Sequence, residues 1–269
     1  MRMTKKLPQL PVEIKHKLYE KSVQNHECDI EFVNKHYKYF FEKKPLSFRE
    51  DFGGTAAMAC DWVKQSKEHT AIGIDLDPEP VEYGKKHHYS RLSEEEKSRM
   101  KYVMGNVLDD YKLQSDIICA FNFSYFIFKK RTELVEYFKK VRKGLNKKGA
   151  FFVDIFGGTE ARQELEEETE HAHHSYYWDC ESYNPLTNEV LYYIHFKHKG
   201  KKYREVFTYD WRMWTVAEVV EAMEEAGFQD VTTFWEGEDE DGDGDGNFFI
   251  SKKEENCESW VTYIVGLNK

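Results

Sequence analysis

Long apolar runs are missing from this sequence. No segment approaches the roughly 20 apolar residues of a membrane-spanning helix. The opening stretch, MRMTKKLPQLPVEIKHKLYEK, holds no apolar core of the length found in signal peptides. We therefore expect a cytoplasmic protein without a membrane partner.

Cysteine pairs, positive charge and phosphate-binding loops are scarce as well. The five cysteines include no Cys-x-x-Cys pair, which excludes a zinc finger or disulfide scaffold and fits reduced thiols. A formal net charge of −10 argues against nucleic acid as a partner, because such binding neutralises phosphates with Lys and Arg. The sequence also lacks GxxxxGK[ST] and a complete GxGxxG, which argues against phosphoryl transfer and dinucleotide binding.

Strands and helices alternate after an initial helical segment at about residues 12–42. The strand candidates are LSFRED, TAIGID, KYVMGNV, SDIICAFNF and AFFVDIF. Helices are predicted at about residues 55–67, from Pro78 and Pro80 onward, and over KRTELVEYFKKVRKGLNKKG with its end at Gly149. This alternation predicts an α/β fold with a doubly wound, mostly parallel sheet of seven strands.

The second half of the sequence changes character. Between about residues 175 and 211 the pattern alternates as in half-exposed strands, which predicts an antiparallel meander of three strands. A helix follows, with Thr215 and Glu218 as its capping box and Gly227 at its end. Two more strands, DVTTFWE and SWVTYIVGL, complete the predicted sheet.

These segments suggest a chain of three parts. We expect residues 1–45 to form a helical lid. Residues 46–170 and 207–269 would form the ligand-binding domain, and residues 171–206 an antiparallel cap inserted over its pocket.

Glycines and polar residues follow four of the predicted parallel strands, namely Gly53, Gly54, Asp75, Asn106 and Asn122. Ligands of doubly wound sheets bind beyond the carboxyl ends of the strands, so these residues should share one rim. The glycine turn alone fits a tight corner as well as a ligand site. Asp75 follows Asp51 by 24 residues, near the separation at which a strand-end acid binds ribose hydroxyls. Together they predict an adenosine-type ligand with an unphosphorylated ribose.

The motifs EDFGGTA, GIDLDPEPVEYG, MGNVLD, SDIICAFNFSYF and VRKGLNKKGAFFVDIFGG resemble the successive motifs of class I S-adenosylmethionine-dependent methyltransferases. The stretch YDWRMWTVAEVVEAMEEAGF resembles the late region of members that act on small molecules. The resemblance covers about residues 46–160 and 207–267. It implies a Rossmann-like fold, S-adenosyl-L-methionine as cofactor, and in-line transfer of a methyl group to a small-molecule acceptor.

The resemblance also implies roles for residues around the cofactor. Glu50 or Asp51 would lie near the methionine amino group, and Asp75 would bind the ribose hydroxyls. The other implied contacts are Gly53, Gly54 and Thr55 beside the methionine and ribose, Leu76, Asn106 and Val107 around the adenine, Asn122 and Phe123 at the methyl end, and Tyr19 in the lid. A strand-end turn is the alternative role for Asn106.

The glycine turn departs from the family pattern D-x-G-x-G-x-G. In the register that starts at Glu50, Phe52 and Ala56 occupy two of the glycine positions. The choice between Glu50 and Asp51 therefore stays open at this point.

The acceptor side carries weaker signals. NFSY, residues 122–125, has the ends but not the prolines of the N-P-P-Y motif of amino-group methyltransferases that act on adenine or glutamine. We expect a small acceptor held by aromatic rings and Arg212, with Tyr125 as a second catalytic candidate or an inward-packed loop residue. The alternatives are a methyltransferase acting on protein or RNA, and a non-catalytic protein that binds S-adenosylmethionine. The sequence leaves the oligomeric state open.

Two segments imitate metal sites. His171, His173 and His174 are close in sequence, but solvated histidines are the simpler interpretation. The acidic loop at residues 236–246 contains D-x-D-x-D-G, yet Ile250 stands where a calcium loop needs a bidentate Glu. We therefore predict a flexible hairpin tip and no metal.

Overall fold

The computed structural model describes residues 8–239 and 244–269. The helices are α1 (Val12–Val23), α2 (His26–Phe41), α3 (Ala57–Gln65), α4 (Pro78–His87), α5 (Glu94–Lys97), α6 (Arg131–Gly144) and α7 (Val216–Glu225). The strands are β1 (Ser47–Asp51), β2 (Thr70–Asp75), β3 (Met100–Met104), β4 (Ser115–Ala120), β5 (Leu145–Gly157), β6 (Glu166–His171), β7 (His174–Asn184), β8 (Glu189–His198), β9 (Lys201–Arg212), β10 (Gln229–Glu238), β11 (Gly244–Ile250) and β12 (Trp260–Asn268). No helix within the described residues is long and apolar enough to cross a bilayer.

The central sheet has the strand order β11-β10-β12-β5-β4-β1-β2-β3. Neighbours from β5 to β3 are parallel, whereas β12, β10 and β11 are antiparallel. The predicted doubly wound, mostly parallel fold is confirmed. The sheet has eight strands rather than seven because residues 244–250, which begin within the predicted acidic loop, form β11 and pair with β10.

Helices cover the central sheet on both faces. On one face, Phe32 and Val33 of α2 and Trp62 of α3 pack into one apolar cluster. On the other, side chains of α6 and α7 pack with Phe151 and Ile155 of β5. All six residues of β4 are buried, as expected for a strand covered on both faces.

Helix α6 ends earlier than predicted. It stops at Gly144, and Gly149 lies inside β5, where it pairs with Asn268. A Cβ at Gly144 would lie 2.6 Å from Arg49 Nη1, so the helix end approaches the sheet too closely for a side chain. The predicted capping box of Thr215 and Glu218 is confirmed on α7.

A second sheet, antiparallel and separate from the first, has the order β6-β7-β8-β9. It contains four strands where the sequence predicts three, and it covers residues 166–212. Strand β6, with the sequence EEETEH, is almost entirely exposed. It therefore lacks the apolar alternation by which a strand is recognised.

The initial helical segment is broken in two. Residues Gln24 and Asn25 separate α1 from α2, and the Asn25 side chain accepts a hydrogen bond from the backbone N–H of Cys28 at 3.4 Å. Leu18 of α1 packs with Ile194 and Phe196 of the second sheet. Helix α1 also contacts α4, so it joins the second sheet to the rim of the first.

Candidate functional site

The turn between β1 and α3 has an unusual backbone. Phe52, Gly54 and Ala56 all have positive φ, at 55°, 52° and 49°. Left-handed backbone costs a residue with a side chain about 1–2 kcal/mol, which explains why related turns use glycine at these places. Here Phe52 and Ala56 adopt the same conformation without being glycine, so the tight turn is retained.

The carboxylate of Asp75 is bonded directly to this turn. Its Oδ2 accepts the Gly54 N–H at 2.7 Å, and its Oδ1 accepts the Asp77 N–H at 2.8 Å. Burial raises the pKa of Asp75, and these backbone donors oppose the rise. Two carboxylate oxygens offer about four acceptor positions in all, so the oriented carboxylate can still accept a hydroxyl group from a ligand. The glycine turn and Asp75 therefore face the same space, as the sequence predicts.

The neighbouring acids Glu50 and Asp51 have opposite surroundings. Asp51 accepts hydrogen bonds from Arg49 Nε at 2.6 Å, Arg49 Nη2 at 3.0 Å and the Tyr137 hydroxyl at 3.0 Å. Within the described residues, the Glu50 side chain accepts one hydrogen bond, which is longer. Its donor is the Ala59 N–H in the first turn of α3, at 3.3 Å. Burial raises the pKa of Glu50 to about 7. Glu50 is thus the acid with capacity left for a cationic ligand group.

These residues line a cavity of about 610 Å³ at the rim of the central sheet, which we call the rim cavity. That volume falls within the usual range of small-molecule sites. Its wall includes the glycine turn, Asp75, Asn122 after β4, and residues 207–211 of β9. Lys15, His16 and Tyr19 of α1 also line it.

Helix α1 is tied to the glycine turn by Glu20. The Glu20 carboxylate accepts the Thr55 hydroxyl at 2.9 Å and contacts His88 Nε2 at 2.6 Å. The Tyr19 ring lies 4.8 Å from the Phe207 ring of β9, centroid to centroid. Burial raises the pKa of Tyr19 to about 12. The helix therefore covers one side of the rim cavity.

Comparison with known proteins identifies the architecture. No protein-family model matches the sequence, and no curated protein does either. Solved structures do match. An S-adenosylmethionine-dependent methyltransferase from Clostridium acetobutylicum superposes with a TM-score of 0.69 at 15% identity, over 94% of this chain and 98% of the other. The chain has a methyltransferase fold.

Two further solved proteins with this fold are named as methyltransferases of sugars. The sugar N-methyltransferase KedS8 from Streptoalloteichus matches with a TM-score of 0.65 at 12% identity, over 100% of this chain and 98% of the other. CalS10, an amino pentose methyltransferase from Micromonospora echinaspora solved with S-adenosylmethionine bound, matches with a TM-score of 0.66 at 11% identity, over 97% and 99%. At these identities the likeness establishes the fold.

One acid that sequence reasoning missed supports the loop after β4 in this methyltransferase fold. Asn122 and Phe123 both have positive φ, and Asp154 accepts their N–H groups at 2.7 and 2.9 Å. Burial raises the pKa of Asp154 to about 7. A single acid in the otherwise apolar strand AFFVDIF is the signal that could have identified it, because a buried carboxylate needs hydrogen-bond donors.

Not every predicted cofactor residue lies at the rim cavity. Phe123 lines a neighbouring cavity, and Leu76 is 65% exposed. The Asn106 side chain accepts the Leu108 N–H at 3.0 Å, which is the strand-end turn that we considered for it. Val107 is buried in the core between the sheet and α6.

The two predicted acceptor residues have partners inside the protein. The fully buried Tyr125 donates its hydroxyl to the Asp154 carbonyl at 2.9 Å, which is the inward packing that the sequence left open. Arg212 donates to Glu218 at 3.0 Å and to the Lys129 carbonyl at 3.1 Å. Its guanidinium also lies 3.9 Å from the Trp214 ring centroid. The structure therefore does not bring Tyr125 or Arg212 to the rim cavity.

Among the described residues, Glu166, Asp179 and His195 bring potential metal-ligand atoms within 4.8 Å of one another. His195 Nδ1 accepts the Glu205 N–H at 2.8 Å, so the proton of the neutral ring lies on Nε2, which is 2.9 Å from Asp179. Both ring nitrogens of His195 therefore have hydrogen-bond partners within the protein, and this group is a hydrogen-bond network. Of the predicted histidine group, His174 is buried rather than solvated: it contacts Ser22 at 2.7 Å and stacks on His171 at 4.6 Å between ring centroids. In the acidic loop, Asp241 and Asp243 lie outside the described residues.

Proposed function

We propose that the protein is a cytoplasmic methyltransferase that uses S-adenosylmethionine and moves a methyl group to a small-molecule acceptor. The observation that carries the proposal is the hydrogen bond between Asp75 and the Gly54 N–H, in a cavity that also contains the carboxylate of Glu50. An oriented strand-end acid beside a glycine turn suits ribose hydroxyls. A second acid with unused acceptor capacity suits the amino group of a methionine moiety.

Different residues of the rim cavity would bind different parts of the cofactor. Glu50 would bind the amino group, Gly53 and Gly54 would allow the methionine and ribose to approach the backbone, and Asp75 would bind the ribose hydroxyls. S-adenosylmethionine, when bound, supplies a methyl group on a positively charged sulfur. Tyr19 of α1 would exclude water from that end, and Asn122 would line it.

The adenine would extend along the rim toward β3. The Gly105 N–H donates to the Asp75 carbonyl at 2.9 Å, so the segment that begins at Asn106 lies next to the ribose position. We keep Leu76, Asn106 and Val107 as the predicted adenine contacts on this ground.

Positioning can supply much of the rate of methyl transfer, because it converts an encounter of two molecules into a step within one complex. The proposed role of this chain is therefore to hold donor and acceptor in line and to keep water out. Asp154 contributes by holding the backbone of Asn122 and Phe123 in its strained conformation.

Calorimetry with S-adenosylmethionine and S-adenosylhomocysteine tests the cofactor site. Binding of both by folded protein is the expected result, and no heat with either would refute the site. A second measurement separates an enzyme from a binding protein: methyl-labelled S-adenosylmethionine is incubated with a metabolite extract. Label that leaves the cofactor supports catalysis, whereas retained label with intact binding supports a non-catalytic role.

A further inference from the structure

A second cavity, of about 370 Å³, adjoins the rim cavity. We call it the aromatic cavity. The two share Tyr19, Asn122, Tyr209 and Trp211 as wall residues. Asn122 is also the residue whose backbone Asp154 holds. A molecule in the aromatic cavity would therefore lie next to a ligand in the rim cavity.

Aromatic rings dominate the wall of this cavity. Trp178 of β7 stacks on Tyr192 at 4.4 Å between ring centroids, and Tyr209 lies 4.4 Å from Trp211. Phe123 packs against Phe156 at 4.6 Å. These contacts hold the rings in place before any ligand binds. Fixed aromatic faces favour flat or apolar groups and attract cations.

Charge in this wall has one sign. Its lining residues within the described part of the chain include Glu167 and Glu168 but no Lys, Arg or His. Glu167 pairs with Trp178 across β6 and β7, so both side chains point to the same face of the sheet. Glu168 is on the opposite face and accepts the Tyr177 hydroxyl at 2.6 Å. Glu167 is therefore the acid that accompanies the aromatic rings.

The cation that could have balanced an anionic acceptor is directed elsewhere. Arg212 is bonded to Glu218 and the Lys129 carbonyl, outside the aromatic cavity. A carboxylate or phosphate in the cavity would be repelled by Glu167 and would find no Lys, Arg or His among the lining residues of the described part of the chain, which is unfavourable. An ammonium group would meet a carboxylate and aromatic faces, which is favourable.

We propose that the aromatic cavity is the acceptor site and that the acceptor is an amine carried on an apolar or aromatic body. This inference rests on the proposed function and names its substrate class. An ammonium acceptor would first lose a proton to Glu167 or to water. The nitrogen lone pair then attacks the methyl carbon, and the carbon–sulfur bond breaks with its electron pair left on sulfur. The product is a methylated ammonium, and S-adenosylhomocysteine is released.

Matched probes of opposite charge test the substrate class. Phenethylamine and hydrocinnamate have the same ring and the same two-carbon linker, but the first is a cation and the second an anion. Binding of each is measured by calorimetry and tryptophan fluorescence on the full chain saturated with S-adenosylhomocysteine. We expect the amine to bind at least about tenfold more tightly, because Glu167 attracts the ammonium group and repels the carboxylate. Equal or tighter binding of the carboxylate, or no binding of either probe, would overturn the proposal.

Two variants locate the probe. Trp178→Leu should abolish amine binding and leave S-adenosylhomocysteine binding intact, which also shows that the variant is folded. Glu167→Gln should reduce the preference for the amine, whereas the matched control Glu181→Gln, at an exposed position of β7, should not. Unchanged amine binding in both Trp178→Leu and Glu167→Gln would place the probe elsewhere. If the unmodified protein itself does not bind S-adenosylhomocysteine, that result would instead refute the proposed function.

Discussion

At the scale of single residues, Glu50 and Asp51 show how neighbouring acids acquire different properties. Asp51 accepts three hydrogen bonds, from Arg49 and Tyr137, whereas Glu50 accepts one longer bond from the Ala59 N–H. His26, Asp29 and Asp75 act on Glu50 electrostatically, but burial is the largest cause of its raised pKa. This acid is kept at a cost to stability, which is common for residues that bind ligands.

Glu50 should therefore make stability depend on pH. Between its ordinary pKa of 4.5 and about 7, the unfolded chain has released this proton and the folded chain has not. The free energy of unfolding should fall as the pH rises through this window. Glu50→Gln should remove that fall and stabilise the protein above pH 7 by up to about 3 kcal/mol, since one pKa unit corresponds to about 1.4 kcal/mol.

Urea denaturation of both proteins across this pH range measures the effect. Glu68→Gln, at an exposed acid, serves as the control and should retain the slope of the unmodified protein. Identical slopes for Glu50→Gln and the unmodified protein would show that Glu50 is ionised in the folded state. Glu50→Gln should also bind S-adenosylmethionine more weakly, since it removes the proposed partner of the amino group.

Asp75 has a prediction of its own at this scale. Asp75→Ala should weaken S-adenosylhomocysteine binding roughly 10- to 100-fold, because hydrogen bonds to a charged group contribute about 1.5–3 kcal/mol. Asp75→Asn keeps one acceptor oxygen and should show a smaller loss. Glu82→Gln on the exposed face of α4 is the matched control. An affinity unchanged in Asp75→Ala would remove Asp75 from the site.

At the scale of elements, the turn between β1 and α3 is held tightly against β2. A Cβ added at Gly73 of β2 would lie only 2.6 Å from the Cβ of Ala56. The left-handed Ala56 and the glycine at position 73 are thus coupled, since each permits the close approach of the other.

Changing these two residues together tests the coupling. Gly73→Ala should destabilise the protein by about 1–3 kcal/mol through overpacking. Ala56→Gly alone should have a small effect, because relief of the left-handed strain offsets the greater freedom of the unfolded chain. In the double variant most of the loss from Gly73→Ala should be recovered. Urea denaturation of the four proteins gives the interaction energy, and a value near zero would contradict the clash.

At the scale of the whole molecule, Glu20 links α1 to the central sheet. Burial opposes ionisation of Glu20, but hydrogen bonds from His88 and Thr55 outweigh it and lower its pKa. A lowered pKa means that this contact stabilises the protein above pH 4.5 and is lost as the pH falls below that value. Docking of α1 over the rim cavity should therefore depend on this carboxylate.

Hydrogen exchange measured by mass spectrometry can follow α1 separately from the sheet. In Glu20→Gln we expect faster exchange of the α1 amides, unchanged exchange in β4 and β5, and weaker S-adenosylhomocysteine binding. Lys17→Gln changes an exposed charge on the same helix and should behave as the unmodified protein. If α1 exchange does not change in Glu20→Gln, another contact holds the helix.

Local patterns account for the parts of the fold that were predictable from sequence. Residues close together in the sequence are enough to predict the apolar strand β4, the amphipathic helix α6 and the capping box of Thr215 and Glu218. The predictions are wrong where the local sequence pattern carries no signal. Strand β6 is exposed and charged, and the end of α6 depends on how closely Gly144 approaches Arg49.

The sequence by itself determined the alternation of strands and helices and the alignment of Gly54 and Asp75 at one rim, because periodicity and strand ends are local properties. Only the tertiary structure decided that Glu50 rather than Asp51 keeps its carboxylate available, and that Arg212 is bonded to Glu218. It also decided that two cavities share a wall. These features depend on which distant segments meet and which charges they neutralise, and no stretch of neighbouring residues contains that information.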